Sequence, residues 1–166
     1  VRDVNIRNLG VLVVEDNGTH RHILHEMCEG WGMKPESVAN GAQALAKVDE
    51  KLRAKSGFDF CIIDSSMEEM DGFTLVEELR RRPGCGDMKV IMMISAVLHE
   101  ESARCHELGV AAYIKKPIAQ SRLLDTILNV LANPEKSSKN ITTVVQPRPP
   151  KPSLRILVVE DNPVNQ

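Results

Sequence analysis

The sequence predicts a doubly wound α/β sandwich, a five-stranded parallel sheet with helices on both faces. Three observations predict it. Short apolar runs alternate with helix-length amphipathic segments along most of the chain, and crossovers of that length imply parallel strands with right-handed connections. Two of the runs stop abruptly at acids: Val11-Leu12-Val13-Val14 at Glu15-Asp16, and Cys61-Ile62-Ile63 at Asp64. The carboxyl ends of strands are where open α/β sheets bind ligands. Finally, 166 residues at 42% hydrophobic and 27% charged are ordinary for a soluble globular chain.

Val11–Val14 is the first strand. Asn17-Gly18 makes a turn, and Thr19 is the expected N-cap of a helix that puts Ile23, Leu24, Met27, Cys28 and Trp31 on one face and stops at Gly30 and Gly32. His20, His22 and His25 lack the i, i+4 spacing of a metal pair and read as a solvated helix surface. Met33–Ala39 is a short strand whose Pro35 suits a sheet edge. Ala42–Ala54 is helical along Leu45, Val48 and Leu52, and Phe58–Ile63 is the third strand. Phe73–Arg82 forms a helix stopped by Pro83-Gly84. Val90–Ile94 is the fourth strand, ending at Ser95. A short helix over Glu100–Leu108 closes at Gly109, Ala111–Ile114 is the fifth strand, and a last helix runs from Ala119 to Leu131. Of the strand orders open to such a chain, the flavodoxin-like 2-1-3-4-5 seats the first and third strands side by side. Glu15, Asp16 and Asp64 then meet at one sheet edge, and like charges so close call for a cation, raised pKa values, or both.

From Asn133 the composition changes. Pro134, Pro147, Pro149, Pro150 and Pro152 stand among Ser, Thr, Lys and Arg, as in an extended linker. Leu154–Asn162 then repeats the pattern of Leu9–Asn17. The expected organisation is a domain over residues 1–132, a linker over 133–153, and at 154–166 the first strand and acidic loop of a second copy. A start at Val1 without Met fits a piece of something longer. If the terminal strand is ordered, it is expected on a sheet edge or against another chain.

Composition narrows the function. A net charge of −2 and 3% aromatic residues argue against nucleic acid as a partner. No run approaches the length of a membrane span, and no signal peptide is visible. Cys28, Cys61, Cys85 and Cys105 lack metal-site spacing and read as reduced thiols of a cytoplasmic protein.

The landmarks of the strand ends form an ordered set: Glu15-Asp16, then Asp64, then Met67 with Met70-Asp71-Gly72, then Ser95-Ala96, then Tyr113 with Lys116-Pro117. Each alone has a blander reading: a solvated loop, a strand terminator or a turn. Together, over about 9–131, they resemble the receiver domain of two-component signalling proteins, and the restart at Leu154 resembles the tandem receivers of hybrid histidine kinases. The resemblance implies a phosphoacceptor in a His-Asp phosphorelay, with Asp64 taking a phosphoryl group from phosphohistidine. It implies Mg²⁺ held by Asp16 and Asp64 directly, by Glu15 mainly through water, and by the Ser66 carbonyl. Lys116 would face the phosphoryl oxygens and the Ser95 hydroxyl would bond to them. Tyr113 would swing inward with Ser95, switching the face made by the fourth helix, fifth strand and fifth helix. The Lys116–Pro117 bond is expected to be cis.

The implied partners are a histidine kinase core or a histidine phosphotransfer domain, and the second receiver of the same chain. Neither nucleic acid nor a membrane is expected against this stretch, and a homodimer is left open. In this family the receiver catalyses its own phosphorylation and dephosphorylation. Two departures stand out. Glu68 occupies a position where the family commonly has Pro. Neither Ser66 nor Val97 offers the acid or amide with which some relatives position water, which implies a long-lived acyl phosphate. The rival readings are a pseudo-receiver that docks on its kinase without phosphorylation, and a phosphatase with an Asp nucleophile. The phosphatase needs a second acid where Ser66 stands.

Overall fold

Strands and helices alternate strictly in the computed structural model, which describes residues 5–95 and 99–132. They are β1 (Gly10–Val14), α1 (Gly18–Gly30), β2 (Lys34–Val38), α2 (Gly41–Arg53), β3 (Phe60–Asp64), α3 (Gly72–Arg80), β4 (Lys89–Ile94), α4 (His99–Glu107), β5 (Ala112–Lys115) and α5 (Gln120–Ala132). All neighbouring strands are parallel, in the order β2-β1-β3-β4-β5. Class and strand order are those expected from the sequence. Pro35 lies in β2, at the edge, where its missing N–H leaves no ladder bond unmade.

The β1, β3 and β4 runs are apolar throughout because they are covered on both faces. Successive side chains point to opposite sides of the sheet. Leu12, Val14, Cys61, Ile63, Met92 and Ile94 pack against Val48 of α2, Leu75 and Leu79 of α3, and Cys105 of α4. Their neighbours Val11, Val13, Phe60, Ile62 and Ile91 pack against Leu24 and Cys28 of α1 and Leu123 and Ile127 of α5. The sheet is therefore a shared wall between two apolar cores. All four cysteines are free and buried in them, and burial pushes the Cys28 thiol up to about 12.

Helix boundaries move by one or two residues from the expected ones, the usual uncertainty of helix ends. One shift has a specific cause. Asn17, not Thr19, caps α1: its side chain accepts from the His20 N–H at 3.0 Å, leaving Gly18 and Thr19 in the first turn. Asn is at least as good a cap as Thr, because its carbonyl reaches the same orphan donors. The linker, the terminal repeat, and Ala96 and Val97 lie outside the described residues.

The register positions the site. Val14 pairs with Ile63, Asp64 with Met93, and Ile94 with Lys115. The next residues along the four central and flanking strands therefore emerge at one edge: Glu15, Ser65, Ser95 and Lys116. Backbone bonds continue the ladder there, from Ser65 N–H to the Met93 carbonyl and from Lys116 N–H to the Ile94 carbonyl, both at 2.8 Å.

Candidate functional site

At that edge Glu15, Asp16 and Asp64 each offer an oxygen within 4.8 Å of the others. Glu15 and Asp64 are almost wholly buried, 1% and 2% exposed, whereas Asp16 opens to solvent. The Lys116 ammonium bridges the buried pair, donating to Glu15 Oε2 at 3.0 Å and to Asp64 Oδ2 at 2.8 Å. Burial pushes the Glu15 carboxyl up, and the Asp64 charge adds to that against the opposing Lys116 bond. Burial alone would lower the Lys116 ammonium, but the bonds from Asp64 and Glu15 outweigh it and the net shift is upward. Three further carboxylate oxygens are held by backbone. Ser66 N–H donates to Asp64 Oδ1 at 3.2 Å, Asn17 N–H to Glu15 Oε1 at 3.3 Å, and Glu68 N–H to Asp16 Oδ2 at 3.4 Å. An all-oxygen set of this density suits a hard divalent cation.

The loop after β3 is shaped for close approach. Asp71 caps α3 by accepting from Thr74 N–H at 2.7 Å. Gly72 N–H reaches the Ser65 carbonyl at 3.1 Å. A Cβ on Gly72 would collide with the Asp64 carbonyl oxygen and lie 2.9 Å from Ser65 Cα, so this helix start rests on the backbone of the acid itself. Met67, within the loop, is buried in the core shared with α2, α3 and α4. Glu69 takes a left-handed φ of 65°.

Ser95 and Lys116 line a cavity of about 480 Å³ beside the acids, with Glu15 and His20 at its polar end and Ile23, Leu24, Met27 and Ile118 as apolar wall. The Lys116–Pro117 bond is cis. Tyr113 is 7% exposed and packs in the core shared with α2, α3 and α4. Glu15, Asp16, Asp64, Ser95 and Lys116 thus gather at one place. Ser66 adjoins it through its N–H, while Tyr113 lies inside the fold.

Sequence reasoning missed several neighbours. His20, taken as solvated surface, is half exposed, but its Nδ1 stands 3.8 Å from Glu15. Arg21 folds back over the acidic loop. The sequence placed Ile23, Leu24 and Met27 of the apolar wall on one helix face without linking that face to the acids. Their shared signal is position one turn into a helix that follows the acids, since helix side chains lean towards the N-terminus.

Residues 11–128 match the response regulator receiver domain. Over 120 residues the chain is 31% identical to hybrid signal transduction histidine kinase L of Dictyostelium discoideum, which covers 70% of this chain and 7% of that protein. It is 28% identical over 130 residues to ethylene receptor 2 of Oryza sativa subsp. japonica, which covers 78% of this chain and 17% of the receptor. The chain thus spans a small part of each. Among solved structures, chemotaxis protein CheY4 of Vibrio cholerae superposes with a TM-score of 0.69 at 27% identity, covering 75% of this chain and 99% of that one.

Proposed function

Because the chain belongs to the response regulator receiver domain family of two-component signalling, we propose that it is a phosphoacceptor whose Asp64 takes a phosphoryl group from a phosphohistidine. The observation that supports this best is the Lys116 ammonium 2.8 Å from Asp64 Oδ2, beside two further carboxylates. An Asp64 oxygen forms the new P–O bond as the P–N bond to the donor imidazole breaks. The electron pair returns to the ring nitrogen. The anionic phosphoryl group then needs positive charge and donors on its oxygens, which Lys116 and the Ser95 hydroxyl supply. Glu15, Asp16 and Asp64, with the Ser66 carbonyl, would hold Mg²⁺, which when bound offsets charge on the carboxylates and the transferring group.

In this reading Tyr113 and Ser95 couple phosphorylation to the face of α4, β5 and α5. The donor is a histidine kinase core or a phosphotransfer domain, in the cytoplasm. Residues 1–132 are the receiver, 133–153 a linker, and 154–166 the start of a second receiver of a hybrid kinase. No helix among the described residues is long and apolar enough to cross a membrane.

The test is uptake of labelled phosphate from a small acyl phosphate donor with Mg²⁺ present. The wild-type chain is expected to label and Asp64→Asn to take up nothing. Retained labelling in Asp64→Asn would overturn the assignment. No labelling in either would favour the pseudo-receiver.

A further inference from the structure

Arg21 lies in the first turns of α1, and its guanidinium folds back over the loop that carries the acid pair. Nη1 donates to the Glu15 carbonyl at 2.8 Å and to the Asp16 carbonyl at 3.1 Å. Among the described residues, the other ties of this loop lie mostly on either side of Asp16, including Asn17 N–H on Glu15 Oε1 at 3.3 Å. Glu15 N–H still reaches β2 through the Val38 carbonyl at 3.2 Å, but Asp16 is past the ladder and exposed. Among the bonds described for its side chain, Asp16 accepts from Glu68 N–H at 3.4 Å. The helix is itself anchored here, with Arg21 N–H on the Asn17 carbonyl at 2.9 Å and the Asn17 side chain on His20 N–H. One residue therefore clamps two consecutive peptide groups to a rigid helix. Both peptides belong to residues whose carboxylates cluster with Asp64.

We propose that Arg21 is a positioning residue for the acidic loop, holding the Glu15-Asp16 backbone so that both carboxylates converge with Asp64 on a divalent cation. This rests on reading the three acids as a cation site. The guanidinium does not touch the carboxylates in the bonds described. It acts through the main chain, as groups behind metal ligands commonly do. Both bonds leave Nη1, whose two N–H groups are fixed in the guanidinium plane, whereas the donors of a lysine ammonium rotate on a more flexible stem.

The idea can be told from its alternative by sign. If Arg21 mattered only as a charge, removing it would leave the acids less neutralised and the cation would bind more tightly. If it positions the loop, removing it lets the Asp16 carboxylate move away from Asp64 and the cation binds more weakly. We would titrate Mn²⁺ into the whole chain, following bound metal by electron paramagnetic resonance, for wild type, Arg21→Met, Arg21→Lys and Asp16→Ala. The expected result is a loss of about 10-fold in affinity for Arg21→Met. Arg21→Lys, which keeps the charge but loses the fixed donor plane, should fall between Arg21→Met and wild type. Thermal unfolding without metal checks that each variant is folded at the titration temperature. Should Arg21→Met fail that check, Arg21→Lys carries the decision alone. Equal or tighter Mn²⁺ binding in the folded variant would overturn the role of Arg21. If Asp16→Ala binds as wild type does, or wild type does not bind, the cation-site reading fails instead.

Discussion

Asp64 sits where three demands meet: an almost wholly buried carboxylate, a lysine at ion-pair distance, and a helix start pressed against its own carbonyl. The third demand makes Gly72 a sharp probe. Gly72→Ala puts a methyl group into the Asp64 backbone, which must move or strain. We expect a loss of about 1–3 kcal/mol in urea unfolding, and slower phosphate uptake, because the displaced carboxylate no longer faces Lys116. Wild-type stability and uptake in this variant would contradict the close approach. At this scale the sequence was readable for side chains that follow directly on a strand. Glu15, Asp16, Asp64, Ser95 and Lys116 stand out as an ordered set at strand ends, although each alone has a blander reading. Residues acting through backbone were not readable. Arg80 is the clearest case: a basic residue closing α3 reads as solvated, yet its half-buried guanidinium bonds the carbonyls of Cys85, Gly86, Met88, Leu108 and Gly109. Acceptors on other loops leave no pattern near residue 80.

Elements are held in register by charges at their margins as well as by the two cores. The edge strand β2 carries Glu36, which pairs with Lys51 and, at 3.4 Å, with Lys47 of α2. The Lys51 hydrogen bond holds the Glu36 carboxyl below its ordinary 4.5, outweighing the partial burial that would raise it, and Lys47 adds to the lowering. A depressed carboxylate contributes stability above its unfolded value and loses it as pH falls through the folded one. Wild type is therefore expected to melt above Glu36→Gln near neutral pH. The difference corresponds to a few tenths to about 1 kcal/mol, since both partners are partly solvated. It should shrink below pH 4.5. Parallel melting curves separated by a constant offset through that range would show that the ion pair is not its source. Element type and order were legible because apolar runs and amphipathic segments have different periods. Helix starts were less so, because Asn17 and Thr19 are both competent caps and only the path of the chain decides between them.

For the molecule as a whole, the parallel sheet explains why chemistry far apart in sequence converges. Each strand delivers its next residue to the same edge, and the order β2-β1-β3-β4-β5 puts β1 beside β3. The acids of both follow from topology once that order is known, and the lysine after β5 reaches them across β4. The strand order was legible from the need to join two acid-terminated runs. The cavity beside Lys116 was not, because its wall mixes α1 residues with Pro117 and Ile118, whose meeting depends on how helices lie on the sheet. The central claim is that this convergence makes Asp64 the phosphoacceptor. The most direct measurement treats the chain with acetyl phosphate and Mg²⁺, traps any acyl phosphate by borohydride reduction, and maps the product by peptide mass spectrometry. The account predicts homoserine in place of Asp64 and at no other acidic position. Homoserine in place of Asp16 or another carboxylate, or none in a preparation that binds Mn²⁺, would contradict it.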